Sequence, residues 1–540
     1  MSTQATGAER PPTSARPQPP RRRLALNTAI FAVATGLSRI AGLGREIVAA
    51  NFFGTSPAAS AFTIAYQIPN LFSNLFSQAA LSAAFVPVFT DLLEQGRKRE
   101  AFRMASALFW IVLVVLGGLT IAWIALAGLI VPLFTGPHVS ASLTASLSEV
   151  LFPVVLLLSL TGLLVGVLQS YDQFTIPAIA PAVWNVVIVV LLVVLRSRFH
   201  GADQIYAYAV AWLAATVLQL LMITAAMGKI EFRLALRFDW RDPRVRNVLM
   251  LFLPVTMSVG IINLDVFINS VFGSLVSSGA PRAIDNAFRI YMLPQGVFSV
   301  AVATVLFPTL SRLASRRDLG RIRGTVGNGM RQINLLLIPS GALMLVLAMP
   351  ITRLVYQRGQ FTSQSTQLVS TALFWFAFSL PFSGLNLLLS RTFFALQRPW
   401  IPTKLAAVNI AVDAIVSIAL YKPLGIAGLV LGTVTGNAIM TALQLRRLRA
   451  RLGGRLEGRQ TVMITVRILV ATAVMAAVAR ALWVALDQLL GSSLIAQLIS
   501  VGVPIIIASA LYAKAVLAMR VPEARQIESL VVSRLRARTA

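Results

Sequence analysis

The sequence predicts an all-α polytopic membrane protein with about 14 transmembrane helices. Three observations predict it. Apolar runs near the length of a bilayer crossing recur along almost the whole chain, among them 107–134, 181–195 with its flanks, 335–355 and 495–517. About 20 apolar residues cross a bilayer as a helix, and only a helix satisfies its own backbone there. The runs lack the alternation of a membrane barrel strand. Composition agrees, since 57% of the 540 residues are hydrophobic and 12% are charged, with mean hydropathy +0.78. Soluble domains carry about 25% charged residues. The third observation is that basic loops alternate along the chain.

In chain order, residues 1–24 read as a disordered basic tail, rich in Pro, Ser and Thr and closing on Pro19-Pro20-Arg21-Arg22-Arg23. A cleaved signal is the competing reading, but the next segment lacks a clean cleavage pattern and carries Arg39 and Arg45. Spans follow near 26–48, 59–92, 106–134, 145–169, 177–196, 204–227, 247–275, 283–313, 332–356, 366–394, 401–421, 424–446, 461–486 and 493–517. The second, eighth and tenth contain Pro69, Pro294 and Pro381, which predict kinks. One side receives Arg21–Arg23, Arg97 to Arg99, Lys229 to Arg246, Arg312 to Arg331, Arg398 and Lys404, Arg446 to Arg459, and Arg534, Arg536 and Arg538. The other receives Arg196, Arg198, Arg282, Arg353, Arg358 and Lys422. The positive-inside rule then places both termini in the cytoplasm and makes the number of spans even; Arg196 and Arg198 run against it.

An internal repeat divides the chain. Ala61-Phe-Thr-Ile-Ala-Tyr-Gln-Ile-Pro69 echoes Ala287-Phe-Arg-Ile-Tyr-Met-Leu-Pro294, Ser82-Ala-Ala-Phe-Val-Pro-Val-Phe89 echoes Thr304-Val-Leu-Phe-Pro-Thr-Leu310, and Gln173 to Asn185 echoes Gln397 to Asn409. The blocks keep their order at an offset of about 220–226 residues. Even spans per half make this a parallel repeat, as in transporters whose substrate site lies between two lobes. The expected organisation is an N-lobe of six helices at 25–228, a C-lobe of six at 247–447, two extra helices at 460–518 and a basic cytoplasmic tail at 519–540.

Several functions are excluded or disfavoured. The net charge of +28 suits cytoplasmic loops better than nucleic acid, for which no binding module is visible. The chain has no cysteine, hence no disulfide, thiolate site or Cys nucleophile, and its two histidines, His138 and His200, fall in loops. No Walker motif is present. An enzyme acting on a lipid-linked substrate would need an acid or base on a large outward loop, and the outward acidic residues are few: Glu149, Asp203, Asp285 and Asp487. Trp184, Trp212, Trp375 and Trp400 read as packing or interface anchors.

Charge inside a span costs roughly 2.5–3.5 kcal/mol at the helix centre, so it marks a cavity, a partner or a substrate. Ser38-Arg-Ile-Ala-Gly-Leu-Gly-Arg-Glu46 places Arg39, Arg45 and Glu46 at the end of the first span, which suggests an anion-handling site. Arg39 could instead bridge Glu46, and Arg289 could pair with Asp285 one turn earlier. Asn409 and Asp413 share a face of the eleventh span, and Asp265 and Asn269 a face of the seventh. Such oxygens suit a hard cation, or a helix–helix hydrogen-bond network.

These residues resemble a known family. The Ser38–Glu46 motif, Ile68-Pro69-Asn70-Leu71, Ala84-Phe-Val-Pro87, Gln295 to Leu310 and Arg391-Thr-Phe-Phe-Ala-Leu-Gln397 are similar to those of the MurJ (MviN) lipid II flippases, of the multidrug/oligosaccharidyl-lipid/polysaccharide exporter superfamily. The resemblance covers roughly residues 25–520. It implies 14 helices in two lobes, an extra pair forming a hydrophobic groove, and movement of lipid II, the undecaprenyl-pyrophosphate-linked peptidoglycan precursor, to the outer leaflet of the bacterial cytoplasmic membrane. Arg39, Arg45 and Arg289 match the family's cavity arginines. A further family arginine is replaced by Ser73 and Asn74, and two acidic positions by Ser60 and Met292. Asn269, Asn409 and Asp413, and more weakly Thr433, match a sodium site of some members. No tightly bound cofactor is expected; sodium, a proton or the membrane potential would drive transport. Lipid II and the bilayer are the expected partners, with other cell-wall synthesis and division proteins as candidates. Flippases of other polyprenyl-linked glycans and cation-coupled multidrug exporters are the alternatives.

Overall fold

Apolar runs this long leave the backbone no partner but itself, and every regular element among the described residues is helical. A computed structural model describes residues 21–75, 78–228, 230, 234–235, 239, 242–453, 457–491, 493–526 and 528–529, with side chains except at 21–33, 35, 74–75, 78–84, 247, 249, 251–263 and 265. The helices are α1 (Arg21–Phe53), α2 (Pro57–Leu75), α3 (Gln78–Glu94), α4 (Lys98–Ile130), α5 (Ala141–Leu151), α6 (Pro153–Ser170), α7 (Thr175–Leu195), α8 (Gln204–Met227), α9 (Pro243–Val276), α10 (Ala280–Pro294), α11 (Val300–Ser315), α12 (Leu319–Val346), α13 (Ala348–Tyr356), α14 (Ser363–Ala395), α15 (Trp400–Leu424), α16 (Ile426–Arg451), α17 (Gly458–Leu490) and α18 (Leu494–Ala518).

Eleven segments among the described residues are long and apolar enough to cross a membrane. The other three predicted spans fall on α1, on α2 with α3, and on α9, each containing positions whose side chains lie outside the description. The predicted tails lie largely outside it too, although α1 already begins at Arg21.

The three prolines behave differently. Immediately after Pro294 the chain makes a π-helical turn over Gln295–Ser299 before α11 begins. Proline cannot donate and its ring crowds the preceding turn; a π-turn is one way to absorb that. Pro69 lies inside α2, which continues past it to Leu75. Around Pro381, α14 runs unbroken. The ring costs the Ala377 carbonyl its usual partner, and Gly341 of α12 approaches that oxygen so closely that a Cβ there would lie 2.9 Å from it. The basic stretch 312–331, predicted as a loop, is helical from Leu319, where Asp318 caps α12 by accepting from Arg321 N at 3.0 Å. The helix continues through Gly320, Gly324, Gly327, Gly329 and Pro339, and Arg331 is buried within it.

In the first half α1 packs on α7, α7 on α8, α2 on α5, and α3 and α4 on α6. In the second half α14 is central, flanked by α10, α11, α12 and α16, while α15 joins α16 to α9. The pair α17 and α18 leans on α12 and α13. The halves meet where α2 and α3 touch α9, where α2 touches α10 and where α1 touches α13.

Where α1 ends, the halves interlock. Gln360 N donates to Asn51 O at 2.9 Å, the Thr55 and Ser365 hydroxyls lie 2.8 Å apart, and Gly136 N donates to Ser274 Oγ at 2.7 Å. Gly54 (φ +54°) and Gly359 (φ +57°) make the approach possible. Each adopts a left-handed backbone, and a Cβ on either would stand 2.4 Å from a carbonyl oxygen of the opposite half.

Candidate functional site

Just inside this interlock, charged residues of both halves meet. Arg282, Asp285 and Arg289 recur every three or four residues and share one face of α10. Glu46 reaches them from α1, with both oxygens engaged. Oε1 accepts from Arg45 Nη2 at 2.6 Å and Nε at 3.1 Å, and lies 3.3 Å from Arg289 Nη1; Oε2 accepts from Arg282 Nη2 at 3.1 Å. Asp285 Oδ2 accepts from Arg289 Nε at 3.0 Å and Arg282 Nη1 at 3.3 Å. Tyr66 of α2 completes the ring, donating to Asp285 Oδ1 at 2.7 Å and accepting from Arg289 Nη2 at 3.0 Å.

Three guanidinium groups thus face two carboxylates, leaving one excess positive charge. Four of the five side chains are at most 6% exposed, whereas Arg289 is 25% exposed. The Arg45 guanidinium carbon lies 5.1 Å from the Trp184 ring centre and 4.7 Å from that of Trp212. Such a cation–π contact contributes about 2 kcal/mol when desolvated. Removing one partner from a buried charge pair costs about 3–5 kcal/mol, because the other charge is stranded.

Of the predicted residues, Arg45, Glu46 and Arg289 come together, and Arg289 does pair with Asp285. Arg39 does not bridge Glu46. It is exposed, and its Nη1 reaches the π-turn of the other half, where a Cβ on Gly296 would lie 2.8 Å away. The side chain there is hydrogen, which leaves room for the guanidinium. Ser73 donates to Asn70 O at 3.2 Å, a bond within its own helix. The side chains of Asn74 and Asp265 lie outside the described residues.

A second polar site lies within the second half. Asp413 Oδ2 accepts from Asn269 Nδ2 at 2.9 Å and Thr433 Oγ1 at 3.3 Å, and Oδ1 accepts from Ser417 Oγ at 3.1 Å. This joins α9, α15 and α16. Asn409 lies one turn before Asp413, and its buried Oδ1 has no partner among the described residues. The backbone of α16 is close, since Cβ atoms on Gly432 and Gly436 would fall 2.3 Å from Asp413 Oδ1 and 2.2 Å from Asn409 Oδ1. A carboxylate, a hydroxyl and an unpartnered amide oxygen fit a monovalent hard cation. Among the described residues no cluster of three His, Cys, Asp or Glu side chains offers a transition-metal site.

Arg282, predicted on an outward loop, and Asp285, counted among the outward acidic residues, are both buried in α10. The signal was available as the spacing 282, 285, 289 on one helical face. Trp184 and Trp212, read as anchors, flank Arg45. Nothing in the local sequence pairs them with it, since they come from α7 and α8.

The family model described as Lipid II flippase MurJ matches residues 49–501. A probable lipid II flippase MurJ of Rhizobium meliloti is 31% identical over 400 residues, covering 73% of this chain and 74% of that protein. A solved lipid II flippase MurJ in an inward closed conformation superposes with TM-score 0.75 at 22% identity, covering 91% of this chain and all of that one. An inward-facing multidrug transporter of the MATE family superposes with TM-score 0.64 at 15% identity over 80% of this chain and 97% of its own, a likeness of fold alone.

Proposed function

The chain belongs to the MurJ lipid II flippase family, and from that premise we propose that it carries lipid II from the inner to the outer leaflet of the bacterial cytoplasmic membrane by alternating access. The observation that carries the mechanism is the buried cluster of Arg45, Glu46 and Arg289, built from both halves of the chain. A pyrophosphate cannot enter hydrocarbon without replacing its water, and arginine does so with paired donors at any physiological pH. The exposed Arg39 and the partly exposed Arg289 meet the anion first. The anion then competes with Glu46 for its guanidiniums, which loosens the cross-half contacts and couples head-group binding to movement of the halves. The lipid tail stays in the bilayer, against the exposed apolar faces of α17 and α18.

The topology belongs to the same proposal. Fourteen spans in two six-helix lobes plus an extra pair, with both termini cytoplasmic, put the interlocked end outside and open the cavity inward. Asp413, Asn409, Thr433 and Asn269 would hold a sodium ion, which supplies a positive charge to a buried carboxylate where α9, α15 and α16 meet. A proton or the membrane potential is the alternative drive. The family is one of flippases rather than catalysts, so no reaction is assigned; cell-wall synthesis and division proteins are proposed partners.

The test is a depletion strain lacking its own flippase. Expression of this chain should restore growth and clear lipid II from the inner leaflet. Rescue by an Arg39→Ala/Arg45→Ala double variant would remove the mechanism.

A further inference from the structure

The two α10 arginines are not equivalent. Arg289 is 25% exposed and touches Glu46, Asp285 and Tyr66. Arg282 is 3% exposed and grips the same two carboxylates from behind, Glu46 Oε2 at 3.1 Å and Asp285 Oδ2 at 3.3 Å. Its Nε has no partner among the described residues, so its hold on the chain's interior is through these carboxylates.

Consider what happens when Arg289 turns to an anionic substrate. The cluster holds three positive and two negative groups at rest. With Arg289 withdrawn, Arg45 and Arg282 still balance Glu46 and Asp285 one for one. Without Arg282, the same movement would strand a buried net negative charge, which low-dielectric surroundings penalise heavily. We propose that Arg282 is a positioning residue that acts as the standby counter-ion of the cluster. It holds the two carboxylates neutral so that Arg289 is released to the pyrophosphate. It does not itself touch substrate.

This inference rests on the flippase reading, and the two fail separately. Full-length protein in vesicles is assayed for lipid II translocation across a range of lipid II concentrations. Wild-type transport tests the flippase reading, and the variant-to-wild-type ratio tests Arg282. Arg282→Gln should raise the half-saturating lipid II concentration by at least about tenfold, because a buried charge must now be left unpaired for binding. Arg282→Lys, which keeps the charge but loses the two-pronged grip, should fall between. Arg282→Gln/Asp285→Asn removes one charge of each sign and should recover most of the loss. A merely structural arginine would not be rescued by removing a second interior contact. The proposal is overturned if Arg282→Gln saturates like wild type. It is equally overturned if the double variant, present in the membrane, is no better than Arg282→Gln.

Discussion

The molecule buries polar groups in two places, and the contrast lies in which helices they join. The cluster around Glu46 ties α1 and α2 to α10, across the two halves. The cluster around Asp413 ties α9 to α15 and α16, inside one half. The first holds five charged groups and an excess positive charge. The second centres on one carboxylate ringed by neutral donors. Interactions that cross halves must break when the halves separate, so their strength sets a barrier to movement. Interactions within a half survive that movement and can only set the shape of the moving body. On the proposed reading, the same chemistry, a buried carboxylate, serves as a latch in one place and a brace or ion site in the other.

The largest expected effect comes from the latch. Glu46→Ala strands three guanidiniums with only Asp285, at a cost of about 3–5 kcal/mol. Growth rescue should be lost. Because the chain has no cysteine, a Thr55→Cys/Ser365→Cys pair reads closure of the interlocked end against no background. Disulfide yield should fall sharply when Glu46→Ala is added. An undiminished yield would show that the charge cluster does not hold the halves together. Asp413→Asn should do the reverse, weakening transport and abolishing any sodium dependence while the same crosslink forms as before. If crosslinking fell as far as with Glu46→Ala, the distinction between latch and brace would be lost.

Much of this contrast was legible in the sequence, and the reason is physical. Apolar length revealed the helices, and charge inside a span was rare enough to single out Arg45, Glu46, Arg289 and Asp413. What the sequence did not resolve was depth. Arg282 follows the small residues of 273–281 and was read as a loop residue, and Asp285 was counted as outward, yet both are buried and Gly273 lets its helix approach the start of α10 at Pro281. Nor could one sequence show Trp184 and Trp212 converging on Arg45, because that contact is between helices far apart in the chain. The alternative pairing of Arg39 with Glu46 does not form. Arg39 lies about two turns before Glu46, and the π-turn after Pro294, invisible to periodicity, supplies its neighbour.

The repeat offers the finest test of the comparison, because it places a tyrosine three residues before the proline in each half. Tyr66, before Pro69, bonds across the halves to Asp285 and Arg289. Tyr291, before Pro294, bonds within its half to Ser383 Oγ at 2.7 Å. Tyr66→Phe leaves a buried carboxylate oxygen short of a donor, costing about 1–3 kcal/mol, and should measurably lower the Thr55→Cys/Ser365→Cys crosslink. Tyr291→Phe should cost only about 0.5–1.5 kcal/mol, since the Ser383 hydroxyl already donates to Leu380 O at 3.0 Å and loses no partner for its proton. It should lower thermal stability slightly and leave crosslinking and transport near wild type. Equal effects of the two substitutions on crosslinking would mean that repeat position, and not the crossing of halves, decides what a buried polar group does here.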